Sequence, residues 1–350
     1  MTVLSDRVRA VMEQHWQPEG YTVPNAITYP FAWLWDSCFH AVIWAALGEG
    51  ERATTELAHV FRCQDERTGF VPHIDYQKDP DRLRDFWGRP GASTITQPPM
   101  YGHAVAELTR RGILVSDEVR ERAIAGVQFF LRDRRHGSGL VFVEHPWETG
   151  CDDSPRFDHW GAADRDRWHD VKGRLITAPE SIDFDCAPVS LSALVAWNGS
   201  QLGIDTFEIV RALASRWDED LASWVDAGAA AATSGRARTA EALLPLLVLD
   251  RPEVVTALSD ESAYAGPFGP RGVHRAEPCF DARRYWRGPA WPQLAYLLWL
   301  AGADVAATSV RGASASGLAE YWDADDGTGL GAIPQSWTGL AVLMEAAVGS

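Results

Sequence analysis

The stretch 31–47, F-A-W-L-W-D-S-C-F-H-A-V-I-W-A-A-L, is apolar on every side of a helical wheel and is closed by Gly48 and Gly50. A helix of that kind has no face to give to water, so other elements must surround it. Stretches 97–111, 185–202 and 290–301 read the same way. Between them run segments with one apolar stripe. In 116–133, Ser116 or Asp117 is the cap, and Val119, Ala123, Val127, Phe130 and Leu131 form the stripe. Strand signals are nearly absent outside 140–143.

Wholly buried helices alternating with amphipathic ones suit two concentric layers, the inner ring covered by the outer. The expectation is an all-α chain folded as an (α/α)6 barrel (a toroid), residues 1–350 forming a single domain, with its long loops gathered at one end. Further helices are predicted at 4–16, 51–62, 204–216, 219–232, 236–248, 252–260, 304–321 and 337–347. The irregular stretches are 65–99, 153–179 and 264–283, together with the loop D-A-D-D-G-T-G-L-G-A-I-P-Q-S-W ending at Trp337. A stretch of more than thirty residues such as 65–99, without periodicity, is usually a functional loop.

Composition narrows the function. With 32 Lys and Arg against 48 Asp and Glu, the net charge is −16, which repels nucleic-acid phosphates and anionic membranes. Neither is expected as a partner. Five scattered cysteines, none in C-x-x-C spacing, fit a reducing cytoplasm rather than a disulfide framework or zinc ribbon. The N-terminus reads as an amphipathic helix without a signal-type apolar core, and no apolar run reaches membrane-spanning length. Phosphate loops, a G-x-S-x-G elbow and H-E-x-x-H are missing, so no cofactor or metal is expected. His40, His59, His73 and His103 fall in no ligand spacing and are expected to be loop or core residues.

That leaves carboxylates and aromatics. There are 16 Trp, several beside Asp, Arg and Gly. Aromatic walls with a few polar groups suit sugars, whose C–H faces stack on rings while their hydroxyls seek partners. Asp36 sits one turn from His40 inside the apolar helix, where it must either bond a neighbouring Trp N–H or be functional. The segment W-E-T-G-C-D-D-S-P-R (147–156) crowds three carboxylates beside a Trp, and the adjacent Asp152 and Asp153 give a physical route to one raised pKa. Glu320, in L-A-E-Y-W-D ahead of a Gly-rich loop, is the second candidate; taken alone it reads as an exposed acid at a helix end. Two carboxyl groups flanking a glycosidic bond suffice to hydrolyse it.

The 147–156 segment resembles the E-S-G-x-D-x-S-x-R motif of inverting (α/α)6 glycosidases, the trehalases and glycoside hydrolase family 63. Y-P-F-A-W-L-W-D-S-C-F-H (29–40), T-Q-P-P-M-Y-G-H (96–103), Y-W-R-G-P-A-W-P (285–292) and Q-S-W (335–337) resemble the glucosylglycerate and mannosylglycerate hydrolases of family 63, in the expected order along nearly the whole chain. The resemblance implies Asp152 as general acid, Glu320 as general base and Arg156, the motif arginine, as a substrate-binding residue. It implies a pocket for the terminal sugar formed by Tyr29, Trp33, Trp35, Asp36, Gln97, Trp286 and Trp291, with Tyr76, Tyr285 and Gln335 toward the glycerate and Trp337 beside them. Where the carboxylate-gripping arginine would stand, this chain reads the acidic P-E-S-I-D-F-D (179–185), and Arg89, Arg284 and Arg287 are the substitutes considered. The expected activity is inverting hydrolysis of a small α-glucoside, glucosylglycerate first. Mannosylglycerate or another small α-glycoside is the alternative, and a catalytically silent sugar-binding toroid the non-enzyme one.

Overall fold

The computed structural model describes residues 2–159 and 185–348. Helices dominate these residues, joined by five two-stranded antiparallel sheets. The apolar stretch near the N-terminus folds as the helix Leu34–Ala46, buried from Leu34 to Ala45. It starts three residues later than its periodicity suggests, because Ala32–Trp33 is a strand paired with Ile74–Asp75 and Leu34 N–H donates to His73 O at 2.9 Å. The helix Gly50–His59 returns against it, burying Ala53, Glu56, Leu57 and His59.

Three more buried helices share the interior: Tyr101–Arg110, Val189–Gln201 and Pro292–Leu300. They are locked by polar contacts as well as packing. His103 N–H donates to Asn198 Oδ1 at 2.7 Å, and His103 Nε2 lies 2.8 Å from the Tyr296 hydroxyl. Gly102 lets the first two backbones meet: a Cβ there would stand 2.5 Å from Asn198 O. On the outside, Asp117–Asp133 is capped by Ser116, whose Oγ accepts from Val119 N–H at 3.3 Å. Its buried face holds Val119, Ala123, Val127 and Phe130 as the stripe predicts.

Several predicted helices are something else. In 219–232, Trp217–Asp218 pairs with Ser223–Trp224, and Ala227–Gly228 pairs with Cys186–Ala187 ahead of a 3-10 turn. Gly228 explains the break. Its φ is +86°, and a Cβ there would lie 2.4 Å from Asp185 O, which accepts from Ala229 N–H. Glu241–Leu247 is 3-10 rather than α, with Pro245 inside it withholding an N–H. The predicted 304–321 helix stops at Ala315, since Gly317 and Leu318 both take positive φ (77° and 61°). Glu320 therefore stands on an extended segment, bridged by its N–H to Ala332 O at 2.8 Å, and Tyr321–Trp322 pairs with Gly329–Leu330. Among the described residues the 140–143 stretch forms no strand: Val141 makes an isolated bridge with Arg135, and Val143 N–H donates to Cys186 O at 3.1 Å. Most of the hydrophilic stretch 153–179 lies outside the described residues, and the predicted 185–202 helix begins at Val189, after the strand Cys186–Ala187 and Pro188.

Candidate active site

The acid-rich segment is held from four directions. Pro146–Thr149 is a 3-10 turn ended by Gly150 at φ +73°, and a Cβ on Gly150 would come within 2.5 Å of the Trp35 ring. Only glycine lets the loop lie on that indole. Glu148, although within the motif, points away from the cavity as an anchor: it accepts from Glu144 N–H (2.7 Å) and Thr96 N–H (3.2 Å) and pairs with Arg134. Ser154 donates to the buried Glu241. Arg156 is 2% exposed and spends its guanidinium on Asp226 (2.8 and 2.9 Å), Ala237 O (2.6 Å) and Trp224 O (3.1 Å).

On the opposite side, Glu320 is 3% exposed rather than the exposed acid its sequence position suggests. Tyr29 donates its hydroxyl to Glu320 Oε1 at 2.9 Å, and Ala332 N–H donates to Oε2 at 2.8 Å. Tyr29 is presented by a turn in which Asn25 Oδ1 accepts from the N–H groups of Ile27 and Thr28, both at 2.9 Å. The Trp337 indole donates to the Glu320 carbonyl at 3.1 Å.

Asp152 and Glu320 open onto one cavity of about 420 Å³. Its wall includes Tyr29, Trp33, Trp35 and Asp36 from the N-terminal side, Gln97, then Tyr285 and Trp286, and finally Gln335 and Trp337. Segments far apart in sequence thus converge here, several of them at the ends of helices: Trp33 precedes Leu34–Ala46, and Gln335 precedes the 3-10 turn Ser336–Leu340. Pro24 and Gly150 also line it, and sequence reasoning missed both because neither carries chemistry. Three predicted residues are not on the wall. Tyr76 is buried and donates its hydroxyl to Arg89 O at 2.6 Å. Trp291 stands behind the wall, stacked on Trp286 at 3.7 Å between ring centres and on Tyr321 at 4.5 Å. Arg156 is the third, committed to Asp226 as described.

The electrostatics separate the two acids. Burial first, and the negative charge of Glu320 second, push the Asp152 carboxyl up to about 7, against lowering hydrogen bonds from Tyr285 and from its own backbone. Burial also raises Glu320, opposed by its two donors, Ala332 N–H and Tyr29. Asp36 is raised well above the usual carboxylate range by burial, with Glu320 and Asp152 adding to it; it faces the cavity rather than a neighbouring indole N–H. Asp153 contributes least to Asp152. It pairs with Arg287 at 3.0 Å and Arg284 at 3.5 Å, and Arg287 also holds Asp158 at 2.6 Å. None of Arg89, Arg284 and Arg287 lines the cavity, and the P-E-S-I-D-F-D stretch lies, apart from Asp185, outside the described residues.

Two polar atoms of wall residues, Trp33 Nε1 and Gln335 Oε1, are buried without a partner among the described residues, while Trp286 has a side-chain hydrogen bond to Tyr285. Buried polar atoms are rarely left so, and a donor and an acceptor on an aromatic wall suit the hydroxyls of a sugar. The four histidines have structural partners: Ser336 for His40 (2.7 Å), Asp75 for His59 (3.4 Å), Ser93 for His73 (2.6 Å) and Tyr296 for His103.

A helical fold that brings two carboxyl groups onto one aromatic-walled cavity suits a glycosidase, and the comparisons with known proteins agree. The model of the mannosylglycerate hydrolase MGH1-like glycoside hydrolase domain matches residues 29–213 and 200–338. The chain belongs to that family, within glycoside hydrolase family 63. It is 26% identical to the mannosylglycerate hydrolase of Thermus thermophilus, over 93% of this chain and 96% of that one. It is also 26% identical to the glucosylglycerate hydrolase of Mycolicibacterium hassiacum, over 92% and 93%. The crystal structure of a Thermus thermophilus family 63 mannosylglycerate hydrolase, in complex with Tris and D-glycerate, superposes with a TM-score of 0.81 at 24% identity, covering 98% of this chain and 100% of that one.

Proposed function

We propose that this glycosidase hydrolyses a small α-glucoside with inversion, glucosylglycerate being the leading substrate. Asp152 is the general acid and Glu320 the general base, on an (α/α)6 toroid that forms one catalytic domain. The observation that carries the assignment is the electrostatic contrast between the two acids inside one cavity. Near neutral pH an Asp pushed up to about 7 is still part-protonated and able to give a proton, while the Glu320 carboxylate is stabilised by a donor on each oxygen.

The reaction follows from those states. The Asp152 proton passes to the glycosidic oxygen as the C1–O bond breaks. A water on the far side of the sugar attacks C1 and gives its proton to Glu320, which leaves the β-anomer of the hexose and the free aglycone. In inversion the two carboxyl groups stand roughly 6.5–9.5 Å apart, wide enough for that water. Trp33 and Gln335 supply the unpartnered polar atoms for the hexose hydroxyls, and Trp35, Trp286 and Trp337 supply ring faces.

Similarity to both a mannosylglycerate and a glucosylglycerate hydrolase supports glycerate as the aglycone and makes mannosylglycerate the second reading. The five free thiols support a reducing, cytoplasmic setting. The test is a panel of small α-glucosides and α-mannosides, with the released anomer followed by NMR. Prompt β-hexose release from glucosylglycerate is expected. Release of the α-anomer overturns inversion, and turnover of the mannoside alone overturns the choice of sugar.

A further inference from the structure

Behind the Gln335–Trp337 wall runs a chain of buried polar side chains that neither acid uses. Ser336, between those two wall residues, is 1% exposed, and its Oγ lies 2.7 Å from His40 Nε2. The other ring nitrogen of His40, Nδ1, lies 3.5 Å from Glu56 Oε1, and both side chains are fully buried. Glu56 Oε2 accepts from the Thr22 hydroxyl at 2.6 Å, which in turn accepts from the Trp44 indole at 3.0 Å.

Serine, histidine and carboxylate in that order is the arrangement of a nucleophilic triad, but this serine has no path to a substrate. It does not line the cavity, and its Oγ also lies 3.2 Å from Val23 O and 3.1 Å from Pro24 O. What the group does have is geometry. Ser336 is on the 3-10 helix Ser336–Leu340, His40 is one turn beyond Asp36 on Leu34–Ala46, and Glu56 is on Gly50–His59. The serine N–H donates to Pro24 O at 3.0 Å, and Asn25 Nδ2 donates to Pro334 O at 2.8 Å, so the Pro24 wall is tied to the same point.

Hydrogen counting orders the chain. One hydroxyl proton on Ser336 must serve one of three acceptors, and Pro24 O already has the serine N–H. Meanwhile His40 Nδ1 and Glu56 Oε1, 3.5 Å apart, are both buried with no hydrogen-bond partner among the described residues, so each is the other's nearest available partner and a proton between them relieves both. The arrangement that meets both demands has Nδ1 protonated toward Glu56 and Nε2 accepting from Ser336, the shortest of its three contacts.

We propose that Glu56, His40 and Ser336 form a positioning relay that sets the glycone wall. Glu56 fixes the tautomer and tilt of His40, His40 fixes Ser336, and Ser336 fixes Gln335 and Trp337 relative to Pro24 and Asp36. The relay rests on the glycosidase reading only in needing a hexose in the cavity. It acts on binding of the sugar, in ground state and transition state alike, and so belongs to KM rather than to kcat.

The experiment is a double-mutant cycle on the full chain, with Ser336→Ala and Glu56→Gln, both nearly isosteric. For each variant, kcat and KM on the hydrolysed α-glycoside and the Kd for free glucose by calorimetry are measured, with a melting curve as control. Ser336→Ala is expected to raise KM and the glucose Kd about 10-fold and Glu56→Gln about 4-fold, with kcat falling less than about 3-fold in each. Because both act through His40, the double variant should bind about as Ser336→Ala does alone, whereas independent sites would multiply to about 40-fold. A glucose Kd within about twofold of wild type in either single variant overturns the relay, as does a multiplicative double variant, even if the melting temperature drops. Wild-type protein that binds glucose but cleaves no α-glycoside sinks the proposed function and leaves the relay measurable; protein that binds no hexose sinks both.

Discussion

The two loops that carry the acids use the same functional group in opposite ways. The Asp152 loop is fixed at its base by Glu148, Arg156 and the Gly150–Trp35 contact. Its carboxyl has hydrogen bonds from Tyr285 and its own backbone, set against burial and the negative charge of Glu320. The Glu320 segment gives its carboxyl a donor on each oxygen, with burial as the one influence that raises it. Asp152 is half-buried and Glu320 is 3% exposed, yet burial is the largest raising influence on both, so it does not by itself distinguish them. The balance of hydrogens and charges aimed at each carboxylate does. On the proposed roles, an acid and a base are made from one chemistry by local surroundings.

The sharpest way to break that contrast is to delete each partner. Asp152→Asn and Glu320→Gln should each lower kcat by about 10³-fold or more on the natural glycoside while leaving hexose binding near wild type. The two should then part company. With an α-glucosyl fluoride, whose leaving group needs no proton, Asp152→Asn should recover most of its loss and Glu320→Gln none. Equal recovery in both variants would sink the assignment of roles.

A milder test removes one donor from each acid. Tyr29→Phe strips Glu320 Oε1 of its tyrosine donor and is expected to lower kcat about 10- to 100-fold. Tyr285→Phe removes a bond that lowers Asp152, so its proton is held to higher pH. The rate profile should be bell-shaped, its acid limb set by Glu320 and its alkaline limb by Asp152 at about pH 7. Tyr285→Phe should move the alkaline limb upward and Tyr29→Phe should leave that limb in place; movement of the acid limb by Tyr285→Phe would reverse the labels.

How much of this was legible beforehand depends on what fixed each residue. The interior helices were, because a segment apolar all round has one solution, and Leu34–Ala46 is buried as its composition demands. Most of the cavity wall was too, through motif register: Trp33, Trp35, Asp36 and Gln97 lie where 29–40 and 96–103 suggest. What could not be read were properties set by tertiary approach. Gly228 turns an Ala-rich, helix-favouring stretch into a strand because Asp185 O comes within reach. Arg156 reads as a ligand in its motif and is a strut, since Asp226, its partner, lies 70 positions away with no local signature. Gly150 shows no chemistry at all until Trp35 is laid against it.

The raised pKa of Asp152 has a thermodynamic counterpart. The folded state binds this proton more tightly than the unfolded chain, whose Asp titrates near pH ~3.9. The group therefore contributes stability that is fully present below about pH 4 and is lost as pH rises through about 7, where the carboxyl must ionise in the cavity. Asp152→Asn removes that loss. Its melting temperature should exceed wild type by about 2–5 °C above about pH 8 and match it below about pH 4. A difference that does not change with pH would mean that Asp152 is not held protonated by the fold.

The smallest expected effect belongs to Asp153, the neighbour that the bare sequence makes interchangeable with Asp152. Its charge raises Asp152 less than burial or Glu320 does, because Arg287 and Arg284 stand against it. Asp153→Asn removes a weak raising influence, so the alkaline limb of the rate profile should slip downward, by less than Tyr285→Phe moves it up. It also leaves Arg287 paired with Asp158, a half-exposed contact whose loosening costs about 0–1 kcal/mol. A kcat within about 3-fold of wild type is expected, against the roughly 10³-fold loss at the adjacent position. If instead Asp153→Asn proves as damaging as Asp152→Asn, the acid is shared between the two aspartates, and the contrast between the loops rests on the wrong residue.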